Sequence, residues 1–216
     1  MAMYMVKVNT SEQKKYPHRN WVKMINSLSG FKSLNLLGSV NSNGEHNLSI
    51  VSSCVHLGSS PPLLAIVLRP HSESSPRHSL LNIKDQKIFT LNHVNQDIYK
   101  KAHQTSARYK QSLSEFKQCN LTPEFIDDFK APFVKESHVK MALSVDEIVE
   151  IKQNKTHLII AKIESFYFPE GTLQDDGYID IEKSGTLCGS GLDSYHNTER
   201  IARLSYAKPD LDVTEI

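Results

Sequence analysis

The chain has 216 residues and a formal net charge of +1, with 39% hydrophobic and 23% charged residues. That length suits one domain with enough buried apolar surface to stand without disulfides. The near-neutral balance gives no electrostatic case for nucleic acid or a membrane surface as partner, and no window approaches the ~18 apolar residues of a membrane span.

The three cysteines, Cys54, Cys119 and Cys188, are far apart and odd in number, so they make neither a disulfide framework nor a CxxC metal site. Reduced thiols and an N-terminus without a sustained apolar stretch lead to the expectation of a cytoplasmic protein.

The first 17 residues are polar and expected to be irregular. Residues 18–28 place Trp21, Val22, Ile25 and Leu28 at helical spacing, which predicts a short amphipathic helix. Residues 34–40 and 47–54 read as two strands. The pair Asn43-Gly44 between them predicts a two-residue hairpin turn, because both residues tolerate φ > 0. Residues 63–68 form a continuous apolar run of strand length behind Pro61-Pro62, and 87–94 read as another strand.

The polar stretch 95–116 predicts a short helix and an ordered loop, and Thr122-Pro123 resembles a helix start. In 139–146, Val139, Met141, Leu143 and Val145 alternate with smaller or polar residues, the pattern of a half-buried antiparallel strand. A turn at Asn154-Lys155 leads to a long strand over 156–168, and 178–181 reads as a short one. Closely spaced strands with one helical insert (about 95–130) favour a closed or nearly closed antiparallel barrel over about residues 30–185, with a C-terminal arm from 186 to 216. Helices for parallel crossovers are missing between the early strands.

GxGxxG, GxxxxGK[ST], GxSxG and HExxH are all absent. The chemistry-bearing segment is residues 69–83, directly after the apolar strand. It carries Arg69, His71, Ser72, Ser74, Ser75, Arg77, His78 and Ser79. Guanidinium forks, hydroxyls and a following helix N-terminus are what a phosphate monoester requires, although a solvated surface loop has the same composition. The strand 47–54 interleaves Asn47, Ser49, Ser52 and Ser53 with Leu48, Ile50 and Val51. Such a strand suits the wall of a slot for a flat aromatic ligand, or one polar face of an ordinary barrel strand. Cys54 at its end reads better as a small apolar filler than as a redox group.

Taken in order, these segments resemble the flavin reductase-like, FMN-binding split-barrel family. The likeness runs through Asn47-Leu48-Ser49-Ile50-Val51-Ser52, Arg69-Pro70, and Arg77-His78-Ser79-Leu80-Leu81-Asn82-Ile83. It continues in His103-Gln104-Thr105-Ser106-Ala107, Gly191-Leu192-Asp193-Ser194-Tyr195 and residues 203–209. It covers roughly residues 30–209, with Ser79 standing where the family usually has Thr.

The resemblance implies a mainly β chain with short helices, folded as a six-stranded antiparallel split β-barrel with Greek-key elements. It implies a homodimer with FMN, or FAD, held without a covalent bond at the subunit interface. Arg69, Arg77, His78, Ser79 and Asn82 are then expected on the phosphate side. Asn47, Ser49, Ile50, Ser52, Ser53 and Cys54 are expected along the ring and ribityl chain. His103 and Ser106 would border the site, and Tyr195 would approach from the partner subunit. The implied activity is flavin reduction by hydride transfer from NADH or NADPH, with a non-enzymatic flavin-binding electron carrier as the alternative.

Overall fold

The structure, a computed structural model, describes residues 4–216. The predicted N-terminal helix forms as α1 (His18–Leu28), and none of its residues is fully buried. After β1 (Lys32–Ser33) come β2 (Asn35–Val40) and β3 (His46–Val51), paired antiparallel from Asn35 opposite Val51 to Val40 opposite His46.

The connection between β2 and β3 is a five-residue loop, not a two-residue turn. The Asn41 side-chain oxygen accepts the N–H groups of Asn43 and Glu45, both at 2.9 Å, and the Gly44 N–H donates to the Asn41 carbonyl. Only Gly44 (φ +79°) needs the left-handed region, so Asn41 and Gly44 build the turn and Asn43 does not.

Next come β4 (Val55–Ser59), β5 (Pro62–Leu68), α2 (His78–Gln86) and β6 (Ile88–His93). The insert holds α3 (Tyr99–Gln104), α4 (Glu115–Gln118) and the two-residue strands β7 (Pro123–Glu124) and β8 (Phe133–Val134). The long strands β9 (Lys140–Ile151) and β10 (Thr156–Tyr167) follow, and β11 (Cys188–Ser190) and β12 (Ser194–His196) close the chain's regular structure.

The main sheet is antiparallel with strand order β3-β2-β6-β9-β10-β5-β4. It therefore has seven strands and not six. The added one is β4, whose sequence Val-His-Leu-Gly-Ser lacks a buried face and so lacks the alternation that marks a strand. Three further expectations change. Thr122 does not cap a helix: its N–H and hydroxyl both donate to the Glu136 carboxylate, and Pro123–Glu124 pairs with Phe133–Val134 instead. Residues 178–181 form only an isolated bridge, Leu173 to Ile179. Strand β9 is covered on both faces near its start, since Ala142 is as fully buried as Leu143.

Alternation along β2 explains the two hydrophobic clusters. Leu37 faces the barrel interior with Leu64, Ile66, Leu91 and Ile159, closed at one end by Leu80 and Ile83 of α2. Leu36 faces the other way and is covered by the insert through Ile98, Ala102, Phe116 and Leu121. Gly38 allows that cover to come close, since a Cβ there would stand 2.0 Å from the Pro132 carbonyl oxygen. The fully buried Asn92 then ties the layers: its amide nitrogen donates to the Leu36 carbonyl, and its oxygen accepts the Val134 N–H.

Strands β3 and β4 are consecutive in the chain yet lie at opposite edges of the sheet. Only residues 52–54 join them, so the sheet must curl until its edges meet, and register shifts between β9 and β10 help it bend. Where the β4 backbone has left β5, the Ser53 hydroxyl takes its place. It accepts the Val67 N–H and donates to the Val67 carbonyl, both at 3.0 Å. The barrel is split at that point.

Candidate functional site

A cleft of about 490 Å³ opens at the split. Asn47, Ser49, Ile50, Ser52 and Ser53 form one wall from β3 and the residues after it. Arg69, Arg77, His78 and Ser79 form the opposite end, from the turn between β5 and α2. The strand and the arginine-bearing turn, separated in the chain by β4 and β5, are thus brought to one cavity.

The join between them is a set of hydroxyl contacts. Asn47 Nδ2 donates to Ser79 Oγ at 2.8 Å, and Ser49 Oγ lies 2.8 Å from the same atom. One of the two hydroxyl protons is spent on the Ser49–Ser79 bond, which leaves one for a ligand. Ser79 also lies in the first turn of α2, whose leading N–H groups have no helical acceptor.

Positive charge gathers at this end. Arg69, Arg77 and Arg108 all line the cleft. Burial, and then the charges of Arg69 and Arg108, lower the Arg77 pKa. The Arg77 Nε is buried without a hydrogen-bond partner. Burial and the neighbouring His71 lower the His78 pKa. A crowded, partly desolvated set of cations with an unspent donor is a receptor for a multiply charged anion.

The long wall has a different logic. Strand β3 is a sheet edge, and its outward N–H groups need partners. The Glu115 carboxylate of α4 accepts the Leu48 N–H at 3.0 Å, and Thr105 Oγ1 accepts the Ile50 N–H at 2.9 Å. Burial pushes the Glu115 carboxyl up, opposed by its backbone hydrogen bonds. The insert thereby covers the edge over two donors and stops. The wall beyond it, at Ser52 and Ser53, stays open to the cleft.

Against this cleft lies a second chamber of about 80 Å³, sharing Ile50, Val51, Ser52, Ser106 and Leu192 with it. His103 and Tyr195 line it, with His103 Nδ1 and Tyr195 Oη sharing a 2.7 Å hydrogen bond. Tyr195 thus lines this chamber within its own chain, because the β11–β12 hairpin folds back onto β1 and lays the ring against Tyr99 and His103.

Of the expected residues, His103 and Tyr195 line only the small chamber, and Cys54 and Asn82 line neither cavity. Cys54 turns into the barrel cluster, where burial pushes its thiol up to about 11, as suits an inert filler. Asn82 is on the buried face of α2 and donates to Ser39 Oγ at 3.2 Å, anchoring the helix to β2. Thr105, Arg108, Tyr109 and Glu115 line the cleft although none of them was among the expected site residues. They belong to the insert, and only the fold brings that segment to β3. A lone arginine in a polar stretch carries no signal of its own.

A family model described as the flavin reductase like domain matches residues 29–184. The chain belongs to the flavin reductase-like family. Its domain is similar to a solved putative flavin reductase with a split-barrel domain from Shewanella frigidimarina NCIMB 400. That protein is 44% identical, with a TM-score of 0.90, covering 94% of this chain and all of the other. The flavin reductase-like fold is shared with nitrilotriacetate monooxygenase component B from Bacillus cereus (17% identical, TM-score 0.80, covering 94% of this chain and 100% of that one). It is shared as well with the flavoredoxin of Desulfovibrio vulgaris (Miyazaki F) (20%, 0.67, 84% and 92%). An uncharacterized protein of Aquifex aeolicus (strain VF5) is 24% identical over 115 residues, which span 53% of this chain and 59% of that protein's length. Among the described residues no helix is long and apolar enough to cross a membrane.

Proposed function

We propose that the cleft holds FMN without a covalent bond and that the chain is an NAD(P)H-dependent flavin oxidoreductase. The observation that carries this reading is the unpartnered, buried Nε of Arg77, which feels the charges of Arg69 and Arg108 in a cleft of ligand size that all three line. The residues fit the group. Arg69, Arg77, Arg108, His78 and the free hydroxyl proton of the Ser49–Ser79 pair would hold a phosphate dianion. The alternating wall of Ser49, Ile50, Ser52 and Ser53 would lie along the flat, polar-rimmed ring.

FMN, when bound, would supply the redox chemistry, that of a hydride acceptor for a reduced nicotinamide. The chain's part is to fix and orient. Arg77 anchors one end, Glu115 and Thr105 keep the β3 edge straight, and Ile50, Val51 and Leu192 keep water from the mouth shared with the small chamber.

A homodimer belongs to the same reading. Val67, Leu158 and Val149 lie in one cross-strand row on the outside of the barrel, and Val67 and Ser53 also line the cleft. Val67 is 36% and Val149 37% exposed, and Val55 (52%) and Leu57 (48%) extend the apolar surface on β4. A second copy seated on this face would cover that surface and narrow the cleft.

The test is oxidation of NADH and NADPH by the protein with FMN added, alongside sedimentation of the purified chain. FMN-dependent oxidation by a dimer is expected. No oxidation with either nucleotide removes the reductase and leaves a flavin-binding electron carrier. A monomer at all concentrations removes the dimer.

A further inference from the structure

The small chamber beside the cleft has a charge and a size that the flavin does not explain. Its volume of about 80 Å³ is well below the ~150 Å³ of a cavity that encloses benzene, so it takes a substituent and not a ring. Its mouth, shared with the main cleft, sets the aliphatic side chains of Ile50, Val51 and Leu192 beside Ser52 and Ser106, and the aliphatic part suits the ring that bears the substituent.

Lys32 supplies the charge. Lys32 lines the chamber, and its ammonium donates to two backbone carbonyls, Asn26 at 2.9 Å and Gly191, itself a lining residue, at 3.0 Å. An ammonium has three protons, so one remains. Among the described residues no carboxylate pairs with Lys32. The acid near the chamber, Asp193, is about half exposed and engaged by Lys23 at 2.9 Å. Ser106, Ser190 and Ser194 add hydroxyls, and the Tyr195–His103 pair adds a polar rim. A part-buried cation with neutral partners, an unspent proton and hydroxyls around it favours an anion.

We propose that this chamber is a subsite for a planar anionic substituent, and that the site accepts small aromatic carboxylates. The proposal rests on the main cleft holding the flavin, which leaves the shared mouth for the acid's aromatic ring. The carboxylate enters the chamber and accepts a hydrogen bond from the remaining N–H of the Lys32 ammonium. The uncharged carboxamide of the same shape offers the ammonium less.

The probe pair is 4-fluorobenzoate and 4-fluorobenzamide, followed by fluorine NMR line broadening in FMN-saturated protein, where the arginines are covered. 4-Fluorobenzoate is expected to bind about tenfold more tightly than the amide, the worth of one charge-assisted hydrogen bond. Lys32→Gln, which keeps amide donors for the Asn26 and Gly191 carbonyls, is expected to erase the preference. Lys32→Arg is expected to keep it. Equal or tighter binding of the amide by the unmodified protein overturns the proposal whether or not the variants fold. So does a preference that survives in a folded Lys32→Gln protein. A parallel flavin fluorescence titration reads the main cleft separately. If FMN does not bind, that reading fails, and the same probes with inorganic phosphate covering the arginines still report on Lys32.

Discussion

The side-chain amide of Asn47, on β3, donates to the hydroxyl of Ser79, in the first turn of α2, at 2.8 Å. Both residues are buried, so this contact fixes the strand wall of the cleft to its cationic end. Ser79→Ala leaves a buried amide without its acceptor. The expected loss of stability is about 1–3 kcal/mol in urea denaturation, with weaker FMN binding measured on the folded protein. Unchanged stability would show that the wall and α2 are not tied through this pair.

Arg77→Ala tests the phosphate assignment. Removal of one charge-assisted contact is expected to weaken FMN by about 1.5–3 kcal/mol and to leave riboflavin, which has no phosphate, nearly unaffected. Dissociation constants for both ligands come from flavin fluorescence. Equal weakening would place Arg77 away from the phosphate.

Gly38 was not legible as a critical position, because nothing in its sequence neighbourhood marks it. An added Cβ would meet the Pro132 carbonyl at 2.0 Å and Thr90 Oγ1 at 2.6 Å, so strand and cover must part. Gly38→Ala is expected to cost about 3 kcal/mol or more of stability. Gly44→Ala, in open space at φ +79°, is expected to cost only about 1–2 kcal/mol of backbone strain. The comparison of the two melting temperatures checks it.

His93 gives a pH dependence. Burial lowers its pKa from 6.5 to about 4, and Nδ1 shares a 3.0 Å hydrogen bond with Thr186 Oγ1. The folded state prefers the neutral ring, so this contribution is complete above pH 6.5 and fades as pH falls towards 4. Between pH 7 and 4.5 the unmodified protein is expected to lose about 2 kcal/mol more stability than His93→Gln. Parallel losses in paired urea titrations at the two pH values would contradict it.

What was legible in the sequence followed the physics of local pattern. Apolar alternation located β9, the turn at Asn154-Lys155 and the long strand behind it located β10, and the continuous run located β5, while the cluster of arginine, serine and histidine stands at the cationic end of the cleft. What was not legible depends on tertiary placement. β4 has no buried face to create a period, and Arg108, Thr105 and Glu115 reach the cleft only because the insert folds across the β3 edge. Asn82 and Cys54 carried the right residue types at the right spacing, but the pleat and the helix turn point them into the core. Tyr195 lines the small chamber because the hairpin that carries it pairs with β1 of its own chain.

The most direct measurement is the visible spectrum of the purified protein with FMN added and excess removed, followed by chromatographic identification of the chromophore released on denaturation. Flavin absorbance that stays with the protein, released as FMN at one per chain, is the predicted result. A protein that retains no flavin, or that carries haem absorbance in its place, would contradict the assignment of the cleft at the barrel's split.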